Sequence, residues 1–98
     1  MILSTLMIAA LLAAQPVPAA GAAATLVQPR EVRLNLDGRN WACDPSGACV
    51  GRGGGASQPL MRECRRFVAR FGAVSAFSRD GLGLTQAELA QCNTAVRA

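Results

Sequence analysis

Apolar and polar positions alternate from Val32 to Leu36, with Arg33 and Asn35 between the three apolar residues. A period of two marks a strand with one buried face. Asp37-Gly38 follows, and this pair tolerates the positive φ angles that a two-residue hairpin turn demands. The turn sets Leu36 opposite Arg39, Leu34 opposite Trp41 and Val32 opposite Cys43. Val32, Leu34, Trp41 and Cys43 therefore share one face. Asp44-Pro45-Ser46-Gly47 predicts a second turn, type I closed by a left-handed glycine. It pairs Asp44 with Ala48 and Cys43 with Cys49. Counted outward from the first turn, Cys43 and Cys49 form a non-hydrogen-bonded pair, with Cα atoms about 4.5 Å apart, within the reach of a disulfide. Two turn signals thus agree on a three-stranded antiparallel meander. Its inner face carries a Cys43–Cys49 bridge, with Trp41 packed on it.

Residues 51–56 are mostly glycine and read as a flexible connector. They can be fitted to G-x-G-x-x-A, but the strand–helix–strand unit of a dinucleotide site is missing. A helix then opens at Ser57, Gln58 and Pro59, with the proline in its first turn. Leu60, Met61, Cys64, Phe67, Val68 and Phe71 make one apolar stripe at helical spacing, and Gly72 is expected to close the helix as a left-handed cap. Residues 74–78 predict a strand, Asp80-Gly81 a turn, and Leu82 and Leu84 a brief returning edge. Thr85 and Glu88 have the spacing of a capping box, with Leu84 and Leu89 as its hydrophobic staple. They start a terminal helix over about 86–95, with Leu89, Cys92 and Val96 facing one way. The expected fold class is small α+β, the meander plus two helices packed on one face of the sheet.

The first 24 residues differ from all this. They carry no charged side chain, and the apolar run from Ile2 to Ala14 is too short to span a bilayer, which takes about 20 residues. Pro16 and Pro18 stop a helix, and small residues follow, with A-x-A patterns at Ala20-Gly21-Ala22 and Ala22-Ala23-Ala24. This is the layout of a cleavable signal peptide, assigned to residues 1–24 with the cut at about 19–24. Residues 25–98 are then a single small domain, periplasmic or secreted, with no transmembrane span after cleavage. A domain of that length buries only about 60% of its unfolded surface and usually needs covalent help.

Four cysteines can supply it. Register favours Cys43–Cys49, which leaves Cys64 and Cys92, each on the apolar stripe of its own helix. In the chain-entropy model the short bridge contributes about 2.4 kcal/mol and the long one about 3.6 kcal/mol. Structural zinc sites prefer cysteines two to four residues apart, and no C-x-x-C redox motif is present. No metal or other cofactor is expected.

Composition narrows the chemistry further. All ten basic residues are arginine, and the chain of 98 residues has no histidine, lysine or tyrosine. That excludes an imidazole base, a Ser-His-Asp triad, a Schiff-base lysine and a phosphate-loop lysine. Asp37, Asp44 and Asp80 are turn residues and Glu88 belongs to a cap. Glu31 and Glu63 remain, with Glu63 read as lying on the outer helix face, and nothing places them together as an acid/base pair. No catalytic residue is assigned, and the chain is read as not an enzyme.

Arg62, Arg66 and Arg70 recur every fourth residue, with Arg65 beside them, as a basic stripe opposite the apolar one. These four are the candidates for binding an anion, an anionic surface or an acidic partner; a solvated helix face is the plainer reading. Nucleic acid is not an expected partner, because the aromatics are few, at 4%, and are placed in the core rather than on a stacking surface.

The series Trp41-x-Cys43, Cys49, Ser57-x-Pro59, Cys64, Phe77, Asp80-Gly81 and Leu89-x-x-Cys92-Asn93 resembles a family of small exported alphaproteobacterial proteins of uncharacterised function, over roughly residues 40–94. The resemblance implies export and two disulfides, and supplies no activity, ligand or active site. The function expected is that of a non-enzymatic structural or protein-interaction module of the cell envelope. The alternatives are an anion or acidic-partner binding module using the arginine stripe, or an inhibitor of an exported hydrolase that presents the 44–48 loop.

Overall fold

The structure, a computed structural model, describes residues 21–54 and 58–97. Its elements are β1 (Ala22–Leu26), β2 (Val32–Leu36), β3 (Arg39–Cys43), β4 (Ala48–Arg52), α1 (Leu60–Phe71), β5 (Val74–Arg79), β6 (Leu82–Gly83) and α2 (Gln86–Asn93). The fold is α+β, and all strands belong to one antiparallel sheet in the order β2-β3-β4-β1-β5-β6.

The meander forms in the expected register. Val32 faces Cys43, Leu34 faces Trp41, Leu36 faces Arg39 and Cys43 faces Cys49. Asp37 and Gly38 both take positive φ, 54° and 82°. Gly47 has φ 92° and donates its N–H to the Asp44 carbonyl at 2.9 Å. The meander is half of a larger object, however: the sheet has six strands rather than three. The added central strand, β1, comes from a run of alanines. Ala22, Ala24 and Leu26 are buried while Thr25 is exposed, so a period of two was present but muted, because alanine contrasts weakly with its neighbours. β1 lies between β4 and β5 and joins the meander to the rest of the sheet.

The leader assigned to residues 1–24 lies mostly outside the described residues. Its last part does not: the expected domain start at residue 25 falls inside β1. The Gly21 N–H donates to Asp80 Oδ1 at 3.0 Å, and the Gly21 carbonyl accepts the Asp80 N–H at 2.9 Å.

Gly51 and Arg52 belong to β4 and not to a flexible connector. Gly51 is buried because the sheet's polar and aromatic cover meets there. A Cβ on it would come within 2.6 Å of Arg39 Cδ and 2.7 Å of the Trp41 ring. α1 begins at Leu60 with Pro59 as its N-cap, so Gln58 and Pro59 precede the helix instead of forming its first turn; Ser57 lies outside the described residues. Gly72 has φ 105° but ψ 177°, so the chain leaves the helix extended, directly into β5, and not through a left-handed cap.

α1 packs its apolar stripe on the sheet. Phe67 and Phe71 stack at 4.2 Å, and Trp41 lies 4.6 Å from Phe67 and 5.9 Å from Phe77. Trp41 is a core residue, as expected, and its ring neighbours are phenylalanines from α1 and β5. α2 starts with the expected capping box of Thr85 and Glu88. It ends at Asn93, so Val96 lies beyond it and is exposed, while Leu89 and Cys92 are buried. Both disulfides are present, Cys43–Cys49 with Cα atoms 3.9 Å apart and Cys64–Cys92 with Cα atoms 5.9 Å apart. The second ties α2 to α1. Asn93 ties α2 to the sheet: its side chain accepts the Val74 N–H and donates to the Val74 carbonyl, both at 2.9 Å. None of the described helices is long and apolar enough to cross a membrane.

Candidate functional site

α1 presents two surfaces because its arginines and its apolar residues are out of phase on the helix. The four predicted arginines all lie on its exposed side, but they are not equivalent. Arg65 reaches to the end of α2, where Nη1 donates to the Gln91 carbonyl and to Thr94 Oγ1, each at 2.9 Å. α2 has no basic residue in its own last turn, so Arg65 supplies the positive charge that its carbonyl end favours. Arg66 grips Asp37 through two hydrogen bonds, Nε to Oδ2 at 2.6 Å and Nη2 to Oδ1 at 3.0 Å. The Arg66 hydrogen bond holds the Asp37 carboxyl below the ordinary aspartate value, and the charge of Arg62 adds to the effect. Arg62 and Arg70 make no side-chain hydrogen bond or ion pair among the described residues.

These arginines border an open groove of about 670 Å³. Its floor is apolar, made by Leu36, Pro59, Met61 and Ala69. Arg97, which follows α2, joins the four predicted arginines at its rim. The sequence pattern did not single out Arg97, since it stands alone beyond the last helix.

A second charged cluster is buried. Arg39 is 2% exposed and Glu63 is 4% exposed. Arg39 Nε donates to Glu63 Oε2 at 2.6 Å and Nη2 donates to Oε1 at 3.3 Å. Arg79 Nη1 adds a bond to Oε1 at 3.0 Å. Arg39 Nη1 also donates to the Gly53 carbonyl at 2.8 Å, and Arg79 Nη1 to the Gln58 carbonyl at 2.6 Å. Glu63 is therefore not on the outer helix face, where the stripe alone placed it. It stands three residues after Leu60 and four before Phe67, on the flank of the apolar face, and a sheet arginine meets it there. With both oxygens bonded to guanidinium groups and almost no exposure, Glu63 is a fastener between helix and sheet. Glu31, the other uncommitted carboxylate, is exposed ahead of β2.

The 44–48 loop is also held tightly. Asp44 Oδ1 accepts from Ser46 Oγ at 2.6 Å and from the Ser46 and Ala48 N–H groups at 2.9 and 3.2 Å. The Ser46 hydroxyl, followed by the Ala48 amide, lowers the Asp44 carboxyl from its ordinary value. No group of three or more potential metal ligands occurs among the described residues.

Fold and site together define a small α+β protein closed by two disulfides, with a basic groove beside its main helix. Its family can be stated more narrowly. The chain belongs to a family of unknown function, DUF8200, whose model matches residues 5–94. No curated protein and no solved structure matches it.

Proposed function

We propose that this chain is a small exported module of the cell envelope, periplasmic or secreted, that works by docking another protein and carries out no turnover of its own. The observation that carries the reading is the use of all four cysteines in two buried disulfides, Cys43–Cys49 and Cys64–Cys92. Such bonds form and persist in oxidising compartments, and the uncharged N-terminal segment has the layout of an export signal. The non-enzymatic part rests on residue types. Histidine and lysine are missing, Glu63 is enclosed by arginines, the carboxylates of Asp44, Asp80 and Glu88 accept backbone N–H groups, and that of Asp37 is bonded to Arg66.

The leader is removed ahead of Gly21 in this reading. A cut after Ala22 or Ala24, where the two A-x-A patterns point, would take away part of the sheet's central strand. A cut after Ala19 or Ala20 keeps β1 whole, together with the Gly21–Asp80 pair.

Intact-mass analysis of protein recovered from the envelope, with and without reductant, tests the proposal. The expected product starts at Ala20 or Gly21 and gains four hydrogens on reduction. Free thiols, or a chain retaining Met1 in the cytosol, would sink the export reading. Turnover of a hydrolase substrate that is abolished by Glu31→Gln would sink the non-enzymatic one.

A further inference from the structure

The two edges of the sheet are finished differently. β6 is only two residues long, the usual way to blunt an edge. β2 at the other edge has five residues, no proline, and an unbroken register with β3. In the two-residue hairpin, Val32, Leu34 and Leu36 direct their backbone groups toward β3, so Arg33 and Asn35 direct theirs outward, to the open side. Val32 and Leu34 are half-buried on the inner face. The arginine groove reaches this same edge at the C-terminal end of β2. Leu36 belongs to its floor, Arg66 crosses to Asp37 at one end of β2, and the Arg70 carbonyl takes a hydrogen bond from Arg30, just before the other end, at 3.3 Å. α1 therefore runs antiparallel to β2 with Arg62, Arg66 and Arg70 on the β2 side.

We propose that the open edge of β2, together with the arginine-rimmed groove that meets it, binds an extended acidic segment of a partner protein, which adds to the sheet as a seventh strand beside β2. This deepens the docking reading above and rests on it. Strand addition to an open edge takes its affinity from backbone hydrogen bonds and its selectivity from alternate side chains. Here the alternate side chains meet arginines. Successive residues on one face of a strand are about 6.7 Å apart, and residues four apart on a helix are about 6 Å apart. Carboxylates at every second position of the added strand thus keep step with Arg62, Arg66 and Arg70. Arg66 is already neutralised by Asp37, so Arg62 and Arg70 supply the uncompensated charge, with Arg97 at the rim. The stems of glutamates would cover Met61 and Ala69. A strand addressed by both its backbone and its alternate side chains is favoured over a membrane surface, which offers no backbone to the Arg33 and Asn35 amides.

The test uses a (Thr-Glu)4 peptide and the oxidised protein. Amide exchange at Arg33 and Asn35 is expected to slow on addition of the peptide. Arg62→Ser with Arg70→Ser is expected to weaken binding about ten-fold. Arg52→Glu shifts the net charge by the same two units from the opposite face of the sheet, away from β2, and should change it about two-fold or less. A (Thr-Lys)4 peptide should not bind. Equal losses from the two variants would reduce the effect to net charge and overturn the proposal. Unprotected amides, no binding of the peptide, or binding only to vesicles containing phosphatidylglycerol would also overturn it. A protein that is exported with both disulfides, yet leaves Arg33 and Asn35 unprotected, loses this inference and keeps the module reading.

Discussion

The hairpin end at Asp37-Gly38-Arg39 is fastened to α1 by two ion pairs of opposite polarity. Arg39 from the sheet meets Glu63 of the helix, and Asp37 from the sheet meets Arg66 one turn further on. The leading distances are the same, 2.6 Å in each. The surroundings are not: the Arg39 and Glu63 side chains are 3% and 5% exposed, while those of Arg66 and Asp37 are 51% and 31% exposed. Geometry alone would rate them alike, but solvent separates them. The exposed pair is screened, and its partners find water when parted. The buried pair has no such refuge, so each member makes the other indispensable. The inner pair holds the helix in place, and the outer pair sets the position of one arginine on a surface.

The largest effect should come from parting the inner pair. Glu63→Gln keeps shape and volume but leaves Arg39 buried without its counter-charge, which costs about 3–5 kcal/mol. Urea denaturation of the oxidised protein measures it, and a loss no larger than that from parting the outer pair would contradict the comparison. Next in size is the paired replacement Arg39→Met with Glu63→Met. It removes the two most buried charges together, leaving Arg79, which is 18% exposed and still donates to the Gln58 carbonyl, and methionine can fill the space beside Gly51 and Trp41. The double variant should be more stable than Glu63→Gln, because an apolar substitute for a buried ion pair is often nearly neutral. If the two losses simply add, the pair is not acting as a unit.

The sequence made parts of this arrangement legible and hid others. The meander, its register and the Cys43–Cys49 bridge could be read because two tight turns fix strand pairing over a few residues. The Cys64–Cys92 bridge followed by elimination. The sheet around them was harder. β1 pairs with strands some 25 and 55 residues away in the chain, and no local turn announces such partners. Its alanines also gave little apolar contrast, and they adjoin a segment with the composition of a leader. The inner ion pair was within reach. Arg39 is in phase with Trp41 and Cys43, so the register already put it on the buried face, and Glu63 flanks the apolar stripe. Placing Glu63 on the outer helix face, with no face assigned to Arg39, concealed that the two meet. For the groove, the sequence picked out the four arginines of α1. It could not show that Arg65 and Arg66 are spoken for, that Arg97 joins them, or that the groove meets an open strand edge.

The smallest effect, and the sharpest probe of the contrast, belongs to the outer pair. Asp37→Asn preserves the turn, since asparagine also tolerates the φ of 54° found there. It removes only the charge facing Arg66. The loss of stability at neutral pH should be several-fold smaller than for Glu63→Gln and should shrink as salt is added. Its pH dependence has a definite sign. Arg66 lowers the folded-state pKa of Asp37 below its unfolded value. The stabilisation is therefore fully present above the unfolded value and is lost as the pH falls through the lowered folded one. The gap between wild type and Asp37→Asn should stay constant near neutrality and close in acid, below the ordinary aspartate range. Asp44, also lowered, titrates in both proteins and cancels from the difference. A gap that widened on acidification, or one insensitive to both salt and pH, would mean that Asp37 serves the turn and not Arg66, and the outer pair would no longer be a fastener of any kind.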